Sequence, residues 1–183
     1  METMNVRILQ AIAMAVLLVG AWTPRAAYAS DGTITVNGQI TANTCTINAG
    51  TPDLAVTLPT VSTAALPAGA VAGATAVTMN YSACTSTPTT ATVYFEANAN
   101  IDPATGCLTN TAVSGGSNVE VCFLNRDGTS IDMSKPTTSQ GVESAALSGG
   151  SGASTFLVEY AAHTAAATAG TYTSLVTYSV VYQ

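Results

Sequence analysis

The chain has 183 residues, a formal net charge of −6 and only 8% charged residues, so it is acidic but sparsely charged. Binding to nucleic acid requires basic surface that neutralises phosphates, and four Lys and Arg residues are too few to supply it. The same charge balance argues against binding to anionic membrane surfaces. The length fits one domain, and the abundant Thr, Ser, Ala, Gly and Asn suit an extracellular polymer better than a free cytosolic enzyme.

The first 29 residues predict a secretory signal peptide. Arg7 lies in its n-region, an apolar run from Ile8 to Trp22 follows, and Ala27-Tyr28-Ala29 supplies small residues before the cleavage site. The alternative is a membrane anchor, which we disfavour because the run is short for a span and is followed by Pro24-Arg25. No later segment is apolar enough to insert into a membrane.

All four cysteines, Cys45, Cys84, Cys107 and Cys122, follow this leader. An even number of cysteines in an exported chain indicates two disulfides, and three pairings are possible. We favour Cys45–Cys84 and Cys107–Cys122, because each pair would join segments that can be neighbouring strands. The alternative is a four-thiolate zinc site, which the oxidising compartment and the absence of a CxxC pair disfavour.

Short segments in which apolar and polar residues alternate recur along the chain and predict β-strands. The first has one face formed by Gly32, Ile34, Val36 and Gly38. Further strands are predicted at Thr44 to Asn48, Leu54 to Leu58, Val77 to Cys84, Thr90 to Glu96, Val119 to Leu124, from Ile131, and at Phe156 to Tyr160. Loops rich in small residues are predicted at Pro59 to Thr75, Asn98 to Gly116, Gly141 to Ser154, and Ala161 to Ala169.

No segment shows a sustained helical period, because the Ala-rich stretches contain too much Gly, Pro and Thr. Asn125-Arg126-Asp127-Gly128 is a hairpin signal, since Gly accepts a positive φ. Seven to nine short strands separated by turns therefore predict an all-β sandwich.

The last fourteen residues, Gly170 to Gln183, have the clearest strand pattern. Most odd positions are polar, with Leu175 and Val181 as exceptions. Apart from Ser174, the even positions from 172 onward are large and apolar: Tyr172, Val176, Tyr178, Val180 and Tyr182. Such a strand must pair either within its own sheet or with another chain. By pattern alone, an ordinary internal strand of a complete sandwich is the simpler interpretation.

Taken together, these features resemble the pilin subunits of chaperone–usher pili, specifically the type 1 fimbrial group. The resemblance covers essentially the whole chain after the leader. The residues that carry it are Gly38-x-Ile40 ahead of Cys45, then Cys84, Gly116-x-Asn118-Val119, the turn at residues 125–128, Gly170, and the penultimate Tyr182. Cys107 and Cys122 are additional to the single disulfide of the family and predict a local staple between the loop at residues 98–116 and the following strand.

The resemblance implies an incomplete immunoglobulin-like sandwich over residues 42–183, which lacks its final strand and so has a groove beside its C-terminal strand. A periplasmic chaperone would fill this groove first, and at an outer-membrane usher the N-terminal extension of the next subunit, residues 30–41, would replace it. The implied donor face is Gly32, Ile34, Val36 and Gly38. The implied acceptor groove and chaperone contact is Gly170, Tyr172, Val176, Tyr178, Val180 and Tyr182, with the terminal carboxylate bound by basic residues of the chaperone.

The implied function is a structural subunit of a surface fimbrium that supports cell adhesion, forms a homopolymer, and needs no cofactor, metal or catalytic residue. A secreted carbohydrate-binding adhesin is one alternative, but adhesins of this family carry an extra binding domain and lack the donor extension. A secreted enzyme is another. His163, the only histidine, lies in an Ala/Thr loop where we expect a solvated side chain, and no catalytic motif is present.

Overall fold

The computed structural model describes residues 44–85 and 87–183, which belong to one compact unit. The predicted signal peptide and the predicted donor residues lie outside this part of the chain; the latter are Gly32, Ile34, Val36 and Gly38. Within the described residues there is no α-helix, only three 3₁₀ turns, at Asn48–Gly50, Thr63–Ala65 and Thr137–Ser139. None of these turns is long or apolar enough to cross a membrane.

Across the described ranges, eight strands form two antiparallel sheets. In chain order they are β1 (Thr46–Ile47), β2 (Ala70–Ser82), β3 (Thr90–Phe95), β4 (Glu120–Asn125), β5 (Ser130–Ile131), β6 (Ala145–Ala146), β7 (Gly152–Ala162) and β8 (Tyr178–Tyr182). One sheet has the order β1-β2-β7-β4-β5 and the other has the order β6-β3-β8. The all-β sandwich predicted from the strand pattern is therefore the observed fold.

Two strands are longer than the sequence pattern predicted. β2 begins at Ala70, inside the segment predicted to be a loop, and β7 begins at Gly152 and extends to Ala162. Their small residues have weak strand preference, but the two strands pair over nearly their whole length. The ladder shifts register between Ala72 and Thr75, where Gly73 has a φ of +76°, the geometry of a β-bulge. Tertiary pairing thus overrides local composition here.

The core lies between the two sheets and is rich in aromatic contacts. Phe95 of β3 packs edge-to-face on Phe123 and Phe156 of the other sheet, with ring centroids 5.0 and 5.7 Å apart. Gln140, only 1% exposed, is a buried polar residue whose amide accepts from Phe95 N–H at 3.0 Å and donates to Phe95 C=O at 2.7 Å. Its hydrogen bonds satisfy backbone groups that would otherwise be buried without partners.

The two disulfides in the structure, Cys45–Cys84 and Cys107–Cys122, are the pairs favoured from the sequence. Cys45–Cys84 joins the segment before β1 to the segment after β2, and Cys107–Cys122 joins the loop after β3 to β4. In the chain-entropy account, loops of 39 and 15 residues correspond to roughly 3–4 kcal/mol of stabilisation each.

Stability should fall at alkaline pH because of a buried tyrosine. Tyr81 is only 2% exposed, and its burial raises the pKa of its hydroxyl from 10.0 to about 12. Since the folded state holds this proton more tightly than the unfolded state, its contribution is complete below pH 10 and is lost between pH 10 and about 12. We expect the free energy of unfolding, measured with guanidinium at intervals from pH 9 to 12, to fall less steeply in Tyr81→Phe than in the parent. Parallel profiles would contradict this.

Candidate functional site

One wall of the candidate site is the C-terminal segment, residues 170–183. Exposure alternates strictly from Thr171 to Gln183, with every even residue half-buried and every odd residue exposed. Leu175 and Val181, the two apolar exceptions on the odd face, are 69% and 40% exposed. The predicted apolar face is therefore the even face.

The odd residues of this wall hydrogen-bond to the body of the domain. Gln183 exchanges two backbone bonds with Thr90 of β3, at 2.9 and 3.0 Å. Nearer the start of the segment, Glu96 N–H donates to Thr177 C=O at 2.8 Å and Thr111 N–H donates to Thr173 C=O at 2.8 Å. Only the last part of the segment is a regular strand, β8, although the pattern predicted a strand throughout.

The even residues present a free backbone edge. In an antiparallel ladder alternate residues point their N–H and C=O groups to opposite sides, so the even residues point away from β3. β8 is the edge strand of its sheet within the described residues. Among the same residues, the backbones of Tyr172, Ser174 and Val176 have no hydrogen-bond partner. This edge can therefore accept another strand.

The opposite wall is the extended segment of residues 51–60. The sequence predicted a strand from Leu54 to Leu58, and that prediction is wrong: within the described part of the chain this segment pairs with no strand. Its contact across to the other wall is the Tyr178 hydroxyl, which donates to Pro52 C=O at 2.6 Å. Leu54 and Val56 are 41% and 39% exposed, so apolar side chains face open space instead of a finished core.

Between the walls runs a continuous groove made of three adjoining cavities of about 470, 450 and 590 Å³. The first two share Leu54, Val56, Leu175 and Val176, and the second and third share Leu58, Tyr160 and Tyr172. The side chains that form the floor come from both sheets and include Phe95, Phe123, Phe156 and Val158. The hydrophobic core is thus accessible along the groove.

Five of the six residues predicted for an acceptor groove line these cavities: Gly170, Tyr172, Val176, Tyr178 and Val180. The sixth, Tyr182, is half-buried against the core and packs edge-to-face on Tyr81, with ring centroids 6.3 Å apart. The opposite wall was not among the residues predicted for the site. The signal that could have found it is the alternation of Leu54, Val56 and Leu58 between two prolines.

Two tyrosine hydroxyls hold the groove edge in place. Besides the Tyr178 bond to Pro52, the Tyr172 hydroxyl donates to Leu108 C=O at 2.9 Å. Burial raises the pKa of both phenols, so both remain protonated donors at neutral pH.

Gly170 begins the C-terminal wall at a point of very close backbone approach. Thr171 N–H donates to Gly115 C=O at 2.9 Å, and Ser117 N–H donates to Thr171 C=O at 3.0 Å. A Cβ atom on Gly170 would lie 2.5 Å from Gly115 O and from Ser117 N, closer than real Cβ contacts. A residue without a side chain is therefore required where the wall begins.

Comparisons with known proteins agree with this architecture. Residues 34–183 match the family model described as "Fimbrial protein". The chain is 38% identical over 172 residues to the F17 fimbrial protein of Escherichia coli, covering 91% of this chain and 95% of that one. It is 42% identical over 174 residues to the major fimbrial subunit SMF-1 of Stenotrophomonas maltophilia, covering 88% and 98%.

Solved structures show the same fold at low sequence identity. A chaperone–usher pilus structure superposes with a TM-score of 0.58 at 16% identity, covering 88% of this chain and 100% of that one. The P pilus rod subunit PapA superposes with a TM-score of 0.53 at 14% identity, covering 76% and 99%. The chain belongs to the fimbrial protein family and is a structural subunit of a surface pilus.

Proposed function

We propose that this subunit polymerises by donor-strand exchange, in which residues 32–38 of one copy occupy the groove of the next. The observation that carries the proposal is the groove itself, whose two walls present unpaired backbone groups above an apolar floor. A strand laid between them would pair with the even residues of the C-terminal wall on one side and with residues 53–60 on the other. It would supply the strand that the sandwich lacks.

The donor sequence has the chemistry that the groove requires. Ile34 and Val36 share one face of an alternating segment, so both would point at the floor together. Each fully buried aliphatic side chain contributes about 1.5–3 kcal/mol, and the backbone groups on both walls become paired. Gly32 and Gly38 flank them on the same face, where a strand without side chains can approach the walls closely.

The same geometry supports a role for a chaperone and an usher. A subunit that exposes an apolar groove and an unpaired strand edge is prone to aggregate before assembly. We therefore infer that a periplasmic chaperone lends a strand to the groove, contacting Tyr172, Val176, Tyr178 and Val180. An outer-membrane usher is then the place where the donor segment of the next subunit replaces the chaperone strand.

Deleting residues 30–39 tests this function. The variant keeps the groove but has no donor, so we expect it to bind the chaperone and to add no further subunit. Chaperone co-purification and the ladder of polymers on SDS gels run without boiling measure the two properties. Polymers that persist after the deletion would show that the donor lies elsewhere.

A matched pair of substitutions tests which face of the donor segment enters the groove, without shortening the chain. Ile34→Asp places a carboxylate against the apolar floor and should stop chain growth. Thr35→Asp, the next residue on the other face, should grow polymers as the parent does. Equal growth of the two variants would contradict the assigned donor face.

A further inference from the structure

The surface on the far side of β4 from the core brings together four side chains that the pilus function does not use. His163 Nε2 lies 3.6 Å from Cys122 Sγ and 3.2 Å from Glu120 Oε2. The potential ligand atoms of His163, Cys107 and Cys122 all lie within 4.8 Å of one another. The sequence predicts a solvated loop histidine; its side chain is partly exposed in the structure and also lies against a carboxylate and a cysteine pair.

Three elements fix these positions. Glu120 and Cys122 are two apart on β4 and so share its outer face, and His163 directly follows the end of β7, the partner strand. The loop that carries Cys107 is held by a backbone bridge in which Leu108 and Val121 exchange hydrogen bonds of 2.8 and 2.9 Å. This bridge does not depend on the sulfur–sulfur bond, so it can hold the two cysteines near each other as free thiols.

We propose that in the dithiol form of the subunit Cys107, Cys122, His163 and Glu120 bind one Zn²⁺ ion, in a state exclusive with the Cys107–Cys122 disulfide. Tetrahedral zinc with ordinary bond lengths separates a sulfur and a nitrogen ligand by about 3.6 Å and a nitrogen and an oxygen ligand by about 3.3 Å. The observed separations are 3.6 and 3.2 Å. The two sulfurs must part to about 3.8 Å, which rotation about their Cα–Cβ bonds can supply.

The surroundings match those of known zinc sites. Thr105 Oγ1 donates to Glu120 Oε2 at 2.6 Å and so orients the carboxylate ligand. The side chain of His163 is 37% exposed and that of Glu120 is 17% exposed, which leaves a path from solvent. Binding needs no electron transfer, because two thiols release two protons as their sulfurs bind the ion.

The site lies next to the groove. The Tyr172 hydroxyl bonds to the carbonyl of Leu108, the residue after Cys107, so the loop held by this staple supports the C-terminal wall. In a newly exported subunit zinc would therefore hold this loop, and after oxidation the disulfide would hold it. The inference does not depend on strand exchange, since metal binding is measured within each subunit, whatever joins that subunit to its neighbours.

Cobalt spectroscopy of reduced fimbriae tests the proposal. After reduction by a phosphine and its removal under anaerobic conditions, Co²⁺ should give the thiolate charge-transfer band and the intense visible bands of a tetrahedral site, and Zn²⁺ should displace it at one ion per subunit. His163→Ala, at an exposed position, should weaken binding by more than about tenfold. Cys107→Ser/Cys122→Ser, which retains Cys45 and Cys84, should bind no metal.

Absence of the tetrahedral spectrum, unchanged affinity in His163→Ala, or metal binding by Cys107→Ser/Cys122→Ser would overturn the proposal. If reduction loosens the fold, the rate at which the disulfide re-forms provides a second test of the site. Stoichiometric Zn²⁺ should slow oxidation of Cys107 and Cys122 in the parent, read by alkylation and mass spectrometry, and should not slow it in His163→Ala. Equal protection by zinc in the two proteins, or none in the parent, would equally refute the site.

Discussion

Val180→Asp is expected to abolish polymerisation: the subunit should still fold but should bind no further copy. Val180 is half-buried and lines the groove, so before a strand arrives its substituted carboxylate can remain in contact with water. A strand laid over the groove would bury that charge beside Asp53, and no basic residue lines the described cavities to neutralise it. Burying an unpaired charge costs several kcal/mol, more than the burial of one donor side chain contributes.

The neighbouring residue provides the control. Val181 is the same residue type on the same strand, but it is 40% exposed on the opposite face and does not line the described cavities. Val181→Asp should polymerise as the parent does, judged by ladders on unboiled SDS gels, and circular dichroism should show the same fold for both variants. If Val180→Asp and Val181→Asp polymerise equally, the groove does not receive a strand.

Gly170→Ala should destabilise the subunit by about 3 kcal/mol, the upper part of the range for overpacked positions. The added methyl group would contact backbone atoms, Gly115 O and Ser117 N at 2.5 Å, and neither can rotate away as a side chain can. Relief requires Thr171 to move from Gly115 and Ser117, with loss of the two hydrogen bonds that fix the start of the wall. Guanidinium unfolding of the unpolymerised subunit measures the loss.

The exposed neighbour Ala169 is the matched control for that measurement. Ala169→Ser adds an atom at a position in contact with solvent and should change the unfolding free energy by less than about 0.5 kcal/mol. A Gly170→Ala variant as stable as Ala169→Ser would mean that the close approach does not constrain the wall.

The alternation of residue types located the faces of the sandwich well wherever side chains were large. It identified β3, β4 and the even face of the C-terminal segment, because a buried face selects apolar residues at every second position. It failed at the first half of β2 and the start of β7, where Ala and Gly carry no such contrast. Those segments become strands because they pair with each other.

Contacts between distant residues account for what the sequence could not show. Leu54 to Leu58 alternates as a strand does, yet it pairs with no strand among the described residues. The pattern therefore indicated an extended backbone but not that its hydrogen-bonding edge is unpaired. Gln140 bonds to Phe95, 45 positions away, and His163 meets Cys122, 41 positions away. Neither pair has a local sequence signal, because the first depends on how the sheets stack and the second on the pairing of β4 with β7.

If a neighbour's strand completes this subunit's sandwich, the structure of the native filament must contain that strand in the groove. We predict that cryo-electron microscopy of purified fimbriae will show residues 32–38 of one subunit between residues 53–60 and the C-terminal wall of the next, with Ile34 and Val36 on the aromatic floor. A filament whose subunits meet only through outer surfaces, with each groove closed by residues of its own chain, would show that no strand is exchanged.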